Sequence, residues 1–212
     1  MAQRTIHYLF GDLISQQTAI TDKERFLLGS VLPDATAGER DLAHFKMKTD
    51  NLSWFDLEQY RNRFLARMRQ DDLYLGYYMH LVEDAFYREF FYRNLFPRPG
   101  CPEEVRLLHQ DYHILNSYVV QKYGIQNILT GEYDLSKEPL SEIAVFRVSD
   151  FLKEMAGDFT ETTQGSTVFL TEAMLDVFVE SYLPQAVEEV KRVKAGEPLL
   201  RSLDYAWGKV GT

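Results

Sequence analysis

The sequence predicts an all-α fold: a single-domain bundle of about six to eight helices with a long loop that carries candidate ligands. Three observations support this. Apolar residues recur with the helical period of about 3.6 along most of the chain. No two alternating apolar runs are joined by a turn typical of a β-hairpin. The length of 212 residues fits one domain over residues 1–212, because domains hold about 150 residues on average.

The first helices are indicated by their caps and stops. Residues 21–24, Thr-Asp-Lys-Glu, have the pattern of a capping box and open a helix that Pro33 stops. The stretch 33–54 has no helical period and predicts a long loop, a kind of segment that is often functional. Asp56 is expected to cap the next helix, which runs to about Gln70.

The central helix is expected from about Asp71 to Phe96, where Pro97 follows. Its apolar residues form two stripes rather than one. A helix with two apolar faces is buried on both sides, so it belongs in the middle of the bundle. His80 and Asp84 lie on one of these stripes.

Three further helices complete the predicted bundle. They are expected over residues 102–123, 141–159 and 171–194, with a loop over 125–139. The tail from Gly196 contains large apolar side chains, so we expect it to dock onto the bundle.

Composition and charge exclude several classes of protein. The net charge of −9 argues against bulk electrostatic binding of nucleic acid. The single cysteine, Cys101, can form neither an internal disulfide nor a thiolate zinc site, so any metal would be held by histidine and carboxylate. No secretory apolar region develops before Asp12, and no stretch reaches the roughly 20 apolar residues of a membrane span. We therefore expect a cytoplasmic protein without a transmembrane segment.

His80 and Asp84 are the first candidate ligands. They are four residues apart, so they stack on one helix face and can bind the same ion. A buried carboxylate without a partner is costly, and a metal or another cation is the usual partner. The alternative is that Asp84 pairs with Arg88 or accepts a hydrogen bond from His80.

Three more candidates lie earlier in the chain. Asp34 directly follows Pro33, His44 comes ten residues later in the long loop, and His7 lies within an apolar stretch. Taken singly, each has an ordinary alternative. Asp34 fits a turn, His44 fits a packed or surface histidine, and His7 fits a hydrogen-bonded core histidine.

As an ordered set, these five residues resemble the ligands of the zinc-dependent phospholipase C and single-strand nuclease superfamily. The resemblance covers about the first 120 residues. It implies that Asp34, His44, His80 and Asp84 hold a first ion, and that His7 and the other oxygen of Asp84 serve a second. It implies one or two zinc ions, although iron or manganese also suits nitrogen and carboxylate ligands.

The chain also departs from the superfamily pattern. Six residues precede His7, whereas in secreted members the mature N-terminal amine is a ligand. Phe90 stands where members have a histidine for a further ion. The helical partner motif is represented at best by His109 and His113, for which packing or a helix-surface role is favoured. The sequence thus predicts a reduced, non-secreted, bacterial-type member with one or two ions.

The resemblance implies a metal-dependent hydrolase that attacks a phosphodiester or phosphomonoester through a metal-bound hydroxide. The substrate would be a small-molecule or lipid phosphoester. Asp34 is expected to be catalytic, both as a ligand and as the acceptor of a proton from water. Arg88 is the candidate for binding the substrate phosphate, with a salt bridge as its favoured alternative.

Two other functions were compared with this one. A non-catalytic helical metal-binding or interaction protein would retain the same ligands without turnover. The His-Asp phosphohydrolase class is disfavoured, because no adjacent His-Asp dipeptide occurs in the sequence.

Overall fold

The computed structural model describes residues 2–93 and 99–208 and is mostly helical, which confirms the predicted fold class. The α-helices of the described residues are α1 (Arg4–Gln17), α2 (Lys23–Val31), α3 (Arg40–Ala43), α4 (Leu57–Met68), α5 (Asp72–Tyr87), α6 (Pro102–Tyr123), α7 (Val148–Thr160) and α8 (Glu172–Ala195). Shorter helical segments are the 3₁₀ turns Leu32–Ala35, Pro139–Glu142 and Ser202–Tyr205, and a π-helical segment, Arg88–Arg93, that continues α5. Strands β1 (Lys46–Lys48), β2 (Leu52–Phe55) and β3 (Trp207–Gly208) form an antiparallel sheet in the order β1-β2-β3.

Helix α5 lies at the centre, as its two apolar stripes predict. All of its residues, from Asp72 to Tyr87, are buried, and the Asp71 side chain caps it by accepting from the backbone N–H of Leu73. The predicted end of this helix at Phe96 and Pro97 lies outside the described residues. Although α5 is apolar, neither it nor any other described helix has the length and hydrophobicity needed to cross a membrane.

Several predicted caps are confirmed. Asp56 and Thr171 accept hydrogen bonds at the starts of α4 and α8, and Gly124 ends α6 in the left-handed conformation at φ 63°. The cap of α2 differs from the prediction. Asp22 rather than Thr21 occupies it, accepting from the backbone N–H of Arg25.

The predicted helix over 141–159 begins too early. The structure has a short 3₁₀ turn at Pro139–Glu142, and α7 starts only at Val148. Just before α7, Phe146 forms an antiparallel bridge with Thr36 in the turn that follows α2. The backbone N–H of Ala37 donates to the carbonyl of Val145, and that of Arg147 donates to the carbonyl of Ala35. Tertiary backbone pairing therefore overrides the local helical signal there.

The prediction of an irregular loop without a hairpin over 33–54 is wrong. This stretch contains α3 and the hairpin of β1 and β2, in which Met47 lies opposite Trp54. The two strands span only three and four residues, which is too short to produce a detectable alternation of apolar and polar residues. The tail docks as predicted: Trp207 pairs with Ser53 in the sheet, and Tyr205 packs edge-on against Phe86.

Helices α2 and α5 cross at unusually short range, and two glycines permit this. A Cβ atom added to Gly29 would lie 2.1 Å from the carbonyl oxygen of Leu73, and one added to Gly76 would lie 2.0 Å from the carbonyl oxygen of Phe26. Both obstructing atoms are backbone and cannot move aside. The two helices are therefore held together by backbone contact.

The substitution Gly76→Ala is expected to destabilise the protein by about 1–3 kcal/mol or more, because the added methyl group must push two helix backbones apart. Gly157→Ala is the matched control. In α7 its Cβ would meet only the flexible Glu161 side chain, at 3.1 Å, so replacing a helix glycine there should be neutral or stabilising by up to about 1 kcal/mol. Urea unfolding of both variants measures the difference. Equal stability of the two variants would contradict the backbone contact.

Candidate metal centre

The structure brings all five predicted ligand residues into one buried cluster. His7 comes from α1, Asp34 from the 3₁₀ turn after α2, His44 from the end of α3, and His80 and Asp84 from α5. The Nε2 atoms of His44 and His80 are 3.1 Å apart. His44 Nε2 is 3.4 Å from Oδ1 of Asp34 and 3.7 Å from Oδ2 of Asp84. His7 Nε2 is 3.7 Å from Oδ1 of Asp84 and 3.9 Å from Oδ2 of Asp34.

Local backbone structure directs two of these side chains inward. Pro33 is at the start of the 3₁₀ turn that ends α2, and this turn brings Asp34 against the cluster. Directly after His44, Phe45 adopts the left-handed conformation at φ 48°, which is strained for a residue with a side chain. Phe45 packs edge-on against Tyr60, and the preceding His44 is fully buried.

The hydrogen bonds of His44 and His80 fix which ring nitrogen carries the proton. Nδ1 of His80 is 2.8 Å from the carbonyl oxygen of Ser30, and Nδ1 of His44 is 2.8 Å from that of Arg40. Because a carbonyl oxygen only accepts, each Nδ1 must be the protonated, donating nitrogen. In the neutral rings both Nε2 atoms are then bare acceptors that face each other. Two acceptors at 3.1 Å require a cation or a proton between them.

His7 is oriented by a buried carboxylate that lies next to a predicted ligand. Its Nδ1 is 2.6 Å from Oε2 of Glu83, and both side chains are buried. Burial disfavours the charged imidazole, but the Glu83 carboxylate outweighs it and raises the pKa of His7 to about 9. Burial raises the pKa of Glu83 to about 7. The His7–Glu83 pair therefore shares a proton near neutral pH. Its hydrogen bond at Nδ1 also directs Nε2 of His7 into the cluster.

The two aspartates remain ionised in this setting. Burial opposes their charge, but contact with the His44 imidazole brings the pKa of Asp34 well below its usual range, and the charge of His7 lowers the pKa of Asp84. Oδ1 of Asp84 accepts from the backbone N–H of Ala2 at 2.9 Å. Oδ2 of Asp84 and Nε2 of His7 are buried without a hydrogen-bond partner.

The cluster therefore fits a divalent metal ion. Its ligand atoms form two groups, each within 4.8 Å: one from His7, Asp34 and His80, the other from His44, His80 and Asp84. Imidazole nitrogen with carboxylate oxygen suits zinc, and also iron or manganese. Buried polar atoms without partners are costly, and a cation among them would satisfy them together.

A cleft of about 520 Å³ leads to the cluster. Asp34 lines it and is 9% exposed at its side chain, whereas His7, His44, His80 and Asp84 are fully buried. The cleft is lined by Ala2, Gln3, Arg4, Asp34, Arg40, Val105, Leu108, His109, Tyr112, His113, Phe151 and Glu154. Any ligand that enters through this cleft meets the cluster at Asp34.

The remaining candidates have different positions. The Arg88 guanidinium lies 4.6 Å from the centre of the Trp207 ring, and Arg88 is not among the described residues that line the cleft. Its role with substrate stays a prediction. His109 and His113 are exposed on one face of α6 and line the cleft, in keeping with the helix-surface role favoured for them.

Sequence reasoning missed the groups that orient the ligands. The carbonyl groups of Ser30 and Arg40 leave no trace in the sequence, because any residue supplies the same backbone oxygen. Glu83 did leave a signal: it is a charged residue within the apolar stretch of α5, directly before Asp84. Its partner His7 is 76 residues away, and a local pattern does not show such a pairing.

Removal of the Glu83 carboxylate is expected to weaken metal binding. Glu83→Ala should reduce the affinity for zinc about 10- to 100-fold, because partners that orient a ligating imidazole typically have effects of this size. Glu83→Gln should cost less, since its amide oxygen still accepts from His7. Competition with a chromogenic chelator measures both affinities.

Glu189→Gln is the matched control for Glu83. Glu189 is an equally buried carboxylate, but it binds Tyr78 and the backbone N–H groups of residues 199–200. Its substitution should leave zinc affinity unchanged. If the two sites affected zinc affinity equally, Glu83 would have no specific role in orienting His7.

The chain matches no known family model, no curated protein and no solved structure. The similarity to the zinc-dependent phospholipase C and nuclease superfamily therefore remains a prediction from the order of the five ligand residues. The function of this chain is therefore inferred from the geometry of the cluster and its cleft.

Proposed function

We propose that this protein binds one or two divalent metal ions, zinc first among them, and hydrolyses phosphoesters at that centre. The ligands would be His7, Asp34, His44, His80 and Asp84. One observation supports this above the others: the bare Nε2 atoms of His44 and His80 converge at 3.1 Å beside two ionised carboxylates. A buried group of acceptors in such excess over donors is typical of a metal centre.

When bound, such an ion lowers the pKa of a coordinated water to about 7 and polarises a phosphoryl oxygen. The protein's own residues have separate tasks. His44 and His80 each present Nε2 while their Nδ1–H groups bind backbone carbonyls. The His7–Glu83 pair holds a proton at Nδ1 of His7, close to the reacting centre.

Asp34 is the predicted ligand nearest to a substrate, because it lies between the cleft and the buried cluster. Its carboxylate is therefore placed to accept a proton from water at the open edge. Its lowered pKa keeps it ionised as a ligand and makes it a weak proton acceptor. Within this proposal Asp34 is first a ligand and second a base.

Binding without turnover is the second candidate function. The observation that favours it is the depth of the site: four of the five predicted ligand residues have no exposed surface. A substrate thus reaches the centre only at Asp34. A helical metal-binding protein needs no larger opening.

Elemental analysis combined with a hydrolysis assay tests the proposal. We expect close to one or two transition-metal ions per chain, and metal-dependent hydrolysis of bis-nitrophenyl phosphate or nitrophenyl phosphate. Bound metal without hydrolysis of either compound would favour the non-catalytic function. A protein that neither contains nor takes up metal would overturn both. Membership of the superfamily, a cytoplasmic location and a small-molecule or lipid phosphoester as substrate belong to the same proposal.

A further inference from the structure

We propose that Arg40 is the anion-binding residue of the cleft and holds a phosphoryl oxygen of the substrate at the entrance to the metal centre. This inference rests on the proposed function and names the residue that recognises the charged group of the substrate. Arg40 is not itself one of the predicted ligand residues.

Arg40 lines the cleft and also contacts the cluster of candidate ligands. Its side chain is 53% exposed and lines the cleft. One guanidinium nitrogen donates to Oδ1 of Asp34 at 2.7 Å. The same oxygen lies 3.4 Å from Nε2 of His44, so Arg40 contacts the one predicted ligand that a substrate meets first.

The Arg40 guanidinium has further N–H groups that are able to donate to an anion. Arginine carries five N–H groups in a planar fork that matches a phosphoryl group, and the contact with Asp34 uses one nitrogen. Asp34 would also give charge to a bound dication, which weakens its attraction for the guanidinium. An anion at the same place is then attracted by the dication and by Arg40 together.

Three other cationic side chains, Arg4, His109 and Arg88, are less suited to this role. Arg4 also lines the cleft, but its guanidinium is engaged by Asp158 and Glu154 and its side chain is only 20% exposed. Burial lowers the pKa of His109 below its usual value, so His109 carries little charge at neutral pH. Arg88 lies over Trp207, away from the described cleft lining.

If Arg40 had only a structural role, its substitution would have a different effect. If the guanidinium only neutralised Asp34, its loss would change stability or zinc affinity but not the binding of an anion to the zinc-loaded protein. The backbone carbonyl of Arg40, which fixes His44, is kept in any substitution. Side-chain variants therefore separate the two roles.

The test is calorimetric titration of inorganic phosphate into zinc-loaded protein, with zinc affinity measured separately. Arg40→Gln is expected to weaken phosphate binding about 10- to 100-fold, the range for losing a charge-assisted hydrogen bond. Arg40→Lys should recover part of it, because it keeps the charge without the fork. The control Arg106→Gln removes an exposed arginine that pairs with Glu103 outside the cleft and should change nothing.

The outcomes separate this inference from the proposed function. Unchanged phosphate affinity in Arg40→Gln, or a wild-type protein that binds zinc but no phosphate, would overturn the role of Arg40 and leave the metal centre standing. An Arg40→Gln protein that does not load with zinc at all would assign Arg40 to the metal site instead. A wild-type protein that binds no zinc would overturn both proposals.

Discussion

Replacing His80 with alanine is expected to abolish stoichiometric metal binding and to reduce phosphoester hydrolysis at least about 100-fold. His80 belongs to both groups of three residues that are able to hold an ion, so its loss removes a donor from each. In the proposed mechanism a bound metal would supply several kcal/mol of transition-state stabilisation, and each 1.36 kcal/mol is a factor of ten in rate. Elemental analysis and a bis-nitrophenyl phosphate assay measure the two effects.

Met79→Ala is the control for this substitution. Met79 is the preceding residue on α5 and is buried to a similar degree, so its truncation leaves a cavity without removing a donor. It should lower stability by about 2–5 kcal/mol while metal content and activity per folded molecule stay near the wild-type values. A His80→Ala protein that kept its metal and its activity would contradict the proposed centre.

Removal of metal is expected to lower the melting temperature by about 5–10 °C. An ion present at 100 times its dissociation constant contributes about 2.7 kcal/mol, and 1 kcal/mol shifts the melting temperature of a chain of this size by about 2–4 °C. The ligands come from α1, the turn after α2, the end of α3 and α5. Chelation thus releases a link between four segments and leaves a buried group of acceptors without its cation.

Differential scanning calorimetry with and without EDTA measures this shift, and zinc added in excess should restore the original melting temperature. His80→Ala serves as the control, because a protein that has already lost its ion should not respond to the chelator. An unchanged melting temperature in the wild type would mean that the cluster is empty or does not connect these segments.

Much of the helical architecture is predictable because its signals are local. The capping residues Asp56 and Thr171 and the stop at Gly124 mark helix ends within one turn of chain. The burial of α5 follows from its two apolar stripes. The five predicted ligand residues were found by their order in the sequence and by the spacing of His80 and Asp84.

The parts that could not be predicted depend on distant partners. The hairpin of β1 and β2 is too short for an alternating pattern, and it receives its third strand from Trp207, more than 150 residues later. Helix α7 starts only at Val148 because the turn around Ala35 binds the backbone of Val145 and Arg147. Glu83 gains its importance only when His7 of α1 approaches α5. Arg88, the arginine chosen from helical spacing, lies over Trp207 instead.

The crossing of α2 and α5 at Gly29 and Gly76 also restricts the positions of two candidate ligands. Ser30, next to Gly29, orients His80 through its carbonyl, and the turn bearing Asp34 is the direct continuation of α2. The two helix backbones touch at these glycines, so the segments that carry His80 and Asp34 have little freedom to move apart. In the proposed metal centre the glycine pair would therefore fix the spacing of the ligands, although neither glycine supplies one.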